Sequence, residues 1–126
     1  MQPGEDKIRH DFDELVQQAI QFRDDRDWAQ FHDPKNLAEG LSIEAAELLE
    51  IFLWKTTEQS KNPSQAERGR IQDELGDIFI FMIYLCREYD LDLLEATADK
   101  IKKNGLKYPV HKSRGNAKKY TEHQEE

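Results

Sequence analysis

Apolar residues in this chain recur every three or four positions rather than at alternate ones, and that period predicts helices from end to end. Ile8, Phe12, Leu15, Val16, Ala19 and Phe22 make one stripe and place a first helix over Asp6 to Asp25. RDWAQFHDPKN interrupts it, because Pro34 breaks a helix and disfavours the α conformation at Asp33. Asn36 is suited to cap a second helix that runs to about Lys55. TTEQSKNP reads as a polar loop, and Ser64-x-x-Glu67 as a capping box that opens a third helix. That helix carries Ile78 to Cys86, a run apolar on nearly every side. It is expected at the centre of the core or between core and a subunit interface. A fourth helix is expected from Asp90 or Asp92 through Leu91, Leu94, Ala98 and Ile101, ending at Asn104-Gly105. From Tyr108 the chain is polar and aperiodic, the signature of a mobile tail. With no internal repeat and no strand pattern, the expected fold class is all-α, a bundle of about four helices. The domain spans residues 1–110 and a polar, flexible C-terminal tail spans 111–126.

Two acidic pairs depart from this amphipathic scheme. Glu44-x-x-Glu47 and Glu74-x-x-Asp77 each place two carboxylates on one helix face, and in both cases it is the apolar face. Leu37, Leu41, Leu48 and Ile51 surround the first pair; Ile71, Ile78, Phe81 and Leu85 surround the second. Inward carboxylates with no cation beside them in the local sequence cannot all stay ionised without compensation. A divalent metal supplies it. Neither motif includes a histidine or cysteine, so the oxygen-only donor set selects a hard cation, Mg²⁺ with Mn²⁺ as a substitute, rather than zinc or a di-iron centre. Mg²⁺ shares its shell with substrate phosphates, which points to phosphate chemistry. The bland alternative is that such pairs merely decorate solvated helices, as Glu50, Asp73, Glu58 and Glu67 are expected to do. Repetition on successive helices, among apolar neighbours, favours the metal.

Composition narrows the partners. At 126 residues there is chain for one core, and 35% charged residues with few Gly and Pro suit a helical protein. A formal charge of −8 argues against binding a nucleic-acid polymer. A lone cysteine, Cys86, fits a reducing compartment and a buried structural thiol. The charged N-terminus lacks the pattern of a signal peptide, and the apolar run Ile78–Cys86 is far shorter than the roughly 20 residues that span a bilayer. No membrane association and a cytoplasmic location are expected.

Three further features bear on a ligand. Eight Lys or Arg and no acid lie between Lys100 and Lys119; most suit a helix C-terminus and a solvated tail, but Lys100 could hold phosphates. Trp28 lies in a loop and Trp54 about two turns beyond Glu47, on its face of the second helix. They could stack a base or simply fill the core. His32, in FHDPKNL, is expected to fix its loop by a hydrogen bond, with a direct ligand role as the alternative. His10, His111 and His123 carry no signal, and Tyr84 and Tyr108 could reach a partner or substrate.

GLSIEAAELLEIFLWK followed by DELGDIFIFMIY resembles the all-α nucleoside triphosphate pyrophosphohydrolase (MazG-like) superfamily, whose signature is ExxE, a spacer, then ExxD. RDWAQFHDPKNL, Trp54-Lys55, KYP and KKYTE resemble the dCTP pyrophosphatase branch in particular, and the likeness runs from about Arg26 to Tyr120. The resemblance implies Mg²⁺-dependent hydrolysis of a deoxynucleoside triphosphate, dCTP or a modified dCTP favoured, to monophosphate and pyrophosphate, a housecleaning activity on the nucleotide pool. It implies Glu44, Glu47, Glu74 and Asp77 as metal ligands, one of them able to orient the attacking water. It also implies Trp28 and Trp54 at the base, Lys100 and Asn104 at the phosphates or sugar, and a homodimer or homotetramer sharing sites between subunits. Two positions depart from the branch: a pocket histidine aligns with Ala19, and a tyrosine one turn after Asp77 is Phe81. Losing two hydrogen-bonding groups relaxes the expected cytosine preference. The rival readings are a non-catalytic helical interaction module and a pyrophosphohydrolase acting on another nucleotide such as phosphoribosyl-ATP.

Overall fold

The computed structural model describes residues 10–117, and among them every regular element is helical. The chain divides into two compact units, Met1–Asp90 and Leu91–Glu126. In the first unit, helix α1 spans Phe12–Asp25, α2 Pro34–Phe52, α3 Thr57–Ser60 and α4 Gln65–Glu88. The second unit holds α5, Leu93–Lys107, and the single turn α6, Val110–Ser113. The expected all-α fold is therefore correct.

The boundaries differ from expectation for identifiable reasons. Helix α1 starts at Phe12 rather than Asp6, because the Asp11 carboxylate accepts hydrogen bonds from the N–H groups of Asp13 and Glu14, at 2.8 and 3.2 Å. Ile8 lies outside the described residues. Helix α2 is capped by Asp33, not Asn36. Pro34 occupies its first turn, where no N–H is needed, and Asn36 N–H donates to Asp33 Oδ1 at 2.8 Å. The Asn36 side chain instead donates to Phe31 O and to Asp33 Oδ2, tying down the preceding loop. Within the segment expected to be a plain loop, Thr56 and Gln59 form a capping box around α3. Asp92 caps α5, which continues past Asn104-Gly105 to Lys107. A turn of helix occupies Val110–Ser113 in the expected tail, while Lys118 and Lys119 lie outside the described residues.

Helices α2 and α4 form the main packed pair of the first unit, and α1 lies on α4. Gly40 lets the pair approach: a Cβ there would fall 2.6 Å from Phe81 Cε1. Ile20, Leu37 and Tyr84 form the buried core, with Val16, Ala19, Phe81 and Leu85 packed against it. Tyr84 O–H donates across to Ala19 O at 2.8 Å, which joins α4 to α1. The apolar run on α4 is only partly enclosed, since Ile83 and Tyr84 are buried while Phe79 and Ile80 are exposed. Cys86 is half-buried. α1 and α4 are each followed by an aspartate in the left-handed region, Asp27 at φ 54° and Asp90 at φ 52°. The first of these leads into a 3₁₀ turn at Ala29–Phe31 and sets the loop that carries Trp28 and His32.

Candidate functional site

Glu44 lies mid-way along α2, and Glu74 and Asp77 face it from α4, one turn apart on that helix. One carboxylate oxygen from each of Glu44, Glu74 and Asp77 comes within 4.8 Å of the others. Glu44 and Glu74 are half-buried, whereas Asp77 and Glu47 stand at the exposed rim. Glu47 is outside the converging three, yet it contributes to the field on Glu44. A carboxyl–carboxylate hydrogen bond with Glu74, then burial, then Glu47 and Asp77 raise the pKa of Glu44 from its ordinary 4.5 to about 7. The Oε2 atoms of Glu44 and Glu74 are buried without a hydrogen-bond partner. Among the described residues of the first unit, the ion pairs engage other acids: Arg23 holds Asp24, Lys55 holds Glu67, Lys35 holds Glu39 and Lys61 holds Glu58.

Crowded carboxylates with orphaned buried oxygens fit a hard cation. An ion would satisfy the orphaned lone pairs and remove the repulsion together, and an all-oxygen set is the chemistry of such ions. The cluster can hold a metal ion.

A cavity of about 580 Å³ adjoins this cluster and has Asp77 in its wall. Apart from Gln18, the rest of its lining is apolar or aromatic and includes Phe22, Trp28, His32, Phe81 and Tyr84, contributed by α1, the loop after it and α4. Trp28 N–H donates to Arg23 O at 3.1 Å and its ring meets Phe22 edge-on at 5.7 Å, which fixes the tryptophan at the cavity wall. Arg26 stacks over Phe22, its guanidinium 3.7 Å from the ring centroid.

The other expected ligand residues fall elsewhere. Trp54 is not on helix α2, which ends at Phe52; it occupies the following turn, 94% exposed, and is not part of this cavity's lining. Lys100 and Asn104 are exposed and four residues apart on α5, on one face of that helix in the second unit. His32 Nδ1 is buried and has no partner, so this nitrogen does not make the expected loop-fixing hydrogen bond. Asn36 does that work. Glu67 belongs to the Ser64 capping box as expected, but it is also ion-paired with Lys55 rather than merely solvated. Phe22 and the Tyr84–Ala19 link had no sequence signal beyond the helical stripe.

The geometry defines a helical domain with a carboxylate cluster beside an aromatic cavity, and the comparisons agree with that class. Residues 40–122 match the MazG-like family, and the chain belongs to it. The chain is 43% identical over 104 residues to dCTP pyrophosphatase 1 of Bos taurus and 39% identical to that of Homo sapiens, covering 81% of this chain in each case. It spans about three fifths of the length of these curated relatives, 62% and 61%. A pyrophosphatase from Archaeoglobus fulgidus superposes with a TM-score of 0.74 at 38% identity, covering 82% of this chain and 99% of its own. Among the described residues no helix is long and apolar enough to cross a membrane.

Proposed function

We propose that this chain hydrolyses a deoxynucleoside triphosphate, dCTP or a 5-modified dCTP favoured, to monophosphate and pyrophosphate with Mg²⁺. The observation that carries the reading is the convergence of Glu44, Glu74 and Asp77 at the edge of an aromatic cavity of nucleotide size. Pyrophosphatases among its relatives support it.

Glu44, Glu74 and Asp77 would hold the ion, with Glu47 at the rim; when bound it neutralises the phosphate charge that otherwise resists attack. Mg²⁺ suits the oxygen donors and Mn²⁺ can replace it. Glu47 stands next to Glu44 but outside the converging three, so it is the carboxylate free to orient a water and accept its proton. Trp28 offers the base a stacking face at the cavity wall, and the apolar lining excludes water from it. Lys100 and Asn104 contact the phosphates or sugar, and Trp54 closes over the base, in a homodimer or homotetramer. The exposed Leu49, Leu53 and Trp54 support such an assembly, since apolar side chains of this size in sequence neighbourhood favour burial against a partner. Residues 1–110 form the catalytic domain, and the enzyme acts in the cytoplasm.

The test is incubation with the canonical and 5-modified nucleoside triphosphates plus Mg²⁺, with pyrophosphate as the readout. Release that stops in excess chelator and in Glu47→Gln, with helicity unchanged in the variant, is the expected result. No product from any nucleotide favours a non-catalytic module, and product from phosphoribosyl-ATP alone moves the substrate elsewhere.

A further inference from the structure

Phe22 and Trp28 both line the cavity, and they are 47% and 42% exposed. Rings this open to solvent turn freely unless something backs them, and ordering them when a ligand arrives weakens binding. The backbone restrains one of the two. Helix α1 ends in a Schellman stop, with Asp27 in the left-handed region. Asp27 N–H donates to Asp24 O and Trp28 N–H to Arg23 O, each at 3.1 Å. The Gln30 side-chain amide donates to Asp27 O at 2.9 Å and to Asp27 Oδ2 at 3.1 Å, which braces a conformation that side chains other than glycine rarely adopt. In such a stop the residue after the left-handed one commonly packs back on the last turn, and here Trp28 meets Phe22, with centroids 5.7 Å apart and planes at 75°. Trp28 is therefore only as well placed as Phe22.

Arg26 holds Phe22. Its Nη1 donates to Phe22 O at 2.9 Å, and its guanidinium lies 3.7 Å from the Phe22 ring centroid and 5.9 Å from that of Trp28. A planar cation pinned to a backbone carbonyl thus covers the Phe22 ring. Arg26 does not line the cavity, so it backs the ring rather than narrowing the space a ligand would take. Arg23, on the same helix, is paired with Asp24, whereas Arg26 pairs with no carboxylate among the described residues. Nothing of opposite charge draws its guanidinium away from the two rings.

Resting on the pyrophosphohydrolase reading above, we propose that Arg26 is a positioning residue for the nucleotide: by clamping Phe22 it holds Trp28 in the orientation that stacks on the base, without touching the substrate itself. Its effect falls on binding of the base. The metal and the phosphates belong to the carboxylate cluster, to which Arg26 contributes nothing. An interaction that helps ground state and transition state equally appears in KM and leaves kcat alone.

The experiment measures kcat and KM for the best nucleoside triphosphate of the panel above, dCTP being the expected one, in the wild-type chain, Arg26→Met and Arg26→Lys. Circular dichroism establishes folding, and inorganic tripolyphosphate serves as a competitive inhibitor lacking a base. Arg26→Met keeps an unbranched stem and removes the charge and the planar fork. KM is expected to rise about fivefold, the scale of ordering a side chain on binding, while kcat and the tripolyphosphate inhibition constant move less than about twofold. Arg26→Lys should recover part of the loss. In a Phe22→Leu background Arg26→Met should raise KM no further, because it acts through that ring. In Trp54→Phe, where Trp28 is the sole tryptophan, adding Arg26→Met should lower the fluorescence anisotropy of the substrate-free chain. An unchanged KM, an effect that adds fully to Phe22→Leu, or an unmoved anisotropy overturns the proposal while leaving the pyrophosphohydrolase reading intact. So does a parallel loss in KM, kcat and the tripolyphosphate constant, which would assign Arg26 a merely structural role. Should Arg26→Met not fold, Arg26→Gln takes its place in every arm. If the wild-type chain turns over no nucleoside triphosphate, both readings fall together.

Discussion

Helix α4 carries two glutamates in opposite electrostatic circumstances. Glu67, in its first turn, is ion-paired with Lys55 and accepts from the Ser64 N–H at 3.0 Å; Lys55 first, then Ser64, hold its pKa down at about 2. Glu74, two turns later, meets Glu44 and Asp77 instead of a cation, and through that contact the Glu44 pKa rises to about 7. The first arrangement fastens the α2–α4 connection. The second opposes the fold unless a positive ion arrives. A protein that places like charges together inside while pairing them elsewhere has stored repulsion where binding can release it.

The largest effect should come from removing a converging carboxylate. Glu74→Gln or Glu44→Gln is expected to lower pyrophosphate release by about a thousandfold or more, the scale of losing a metal that neutralises transferring phosphates. The same variants should raise the unfolding temperature measured in chelator at pH 8, because a neutral amide relieves the repulsion. Loss of activity with lowered stability in chelator would make Glu44 and Glu74 ordinary structural residues and erase the contrast with Glu67.

Next in size is a pH effect with a fixed sign. The folded-state pKa of Glu44, about 7, lies above its ordinary 4.5, so the folded chain holds this proton more tightly than the unfolded chain does. The stabilisation is complete below pH 4.5 and is lost as pH rises through 7. In chelator, Glu44 should therefore contribute a decline in unfolding temperature from pH 5 to pH 8. Mg²⁺ should reverse that decline at pH 8 and do little at pH 5, where a proton already occupies the site. The slope should flatten in Glu44→Gln; a slope that persists there locates its origin in another group.

A third variant probes how the two helices bring the acids together. Gly40 lies one turn before Glu44, and an alanine Cβ at that point would press on the Phe81 ring at 2.6 Å. Overpacking costs about 1–3 kcal/mol, against a gain of about 1 kcal/mol from alanine in a helix. Gly40→Ala should be destabilised by about 1 kcal/mol in urea unfolding, and its Mg²⁺ affinity should fall with it. An undiminished affinity would separate the acidic cluster from the close α2–α4 approach.

Helix existence, the Ser64 capping box and the acidic pairs were legible because each rests on spacing within one element. Pro34 was legible as a punctuator but not in its role: the same residue that ends one helix can open the next, and only the Asp33 cap distinguishes them. The exclusion of Glu47 from the converging three was not legible, since a helical wheel gives a direction and not a distance. Nor was the place of Trp54, which depended on where α2 stops. Lys55–Glu67 and the cavity wall around Tyr84 join residues distant in sequence, and no local pattern encodes them.

The smallest effect lies at the paired glutamate and carries the opposite sign. The depressed Glu67 pKa means that its stabilisation is present above pH 4.5 and is lost as pH falls through 2. Lys55→Met removes the principal cause, so the Glu67 pKa should move back toward the ordinary carboxylate range, readable by NMR titration of its side-chain carbon. The unfolding temperature should drop modestly at pH 7, because partly exposed ion pairs are weak, and the difference from wild type should shrink towards pH 2. Pyrophosphate release should change little, because the pair is separate from the converging carboxylates. A large loss of activity in Lys55→Met would mean that the α3 connection positions the site, and that the two glutamates of α4 act together rather than in opposition.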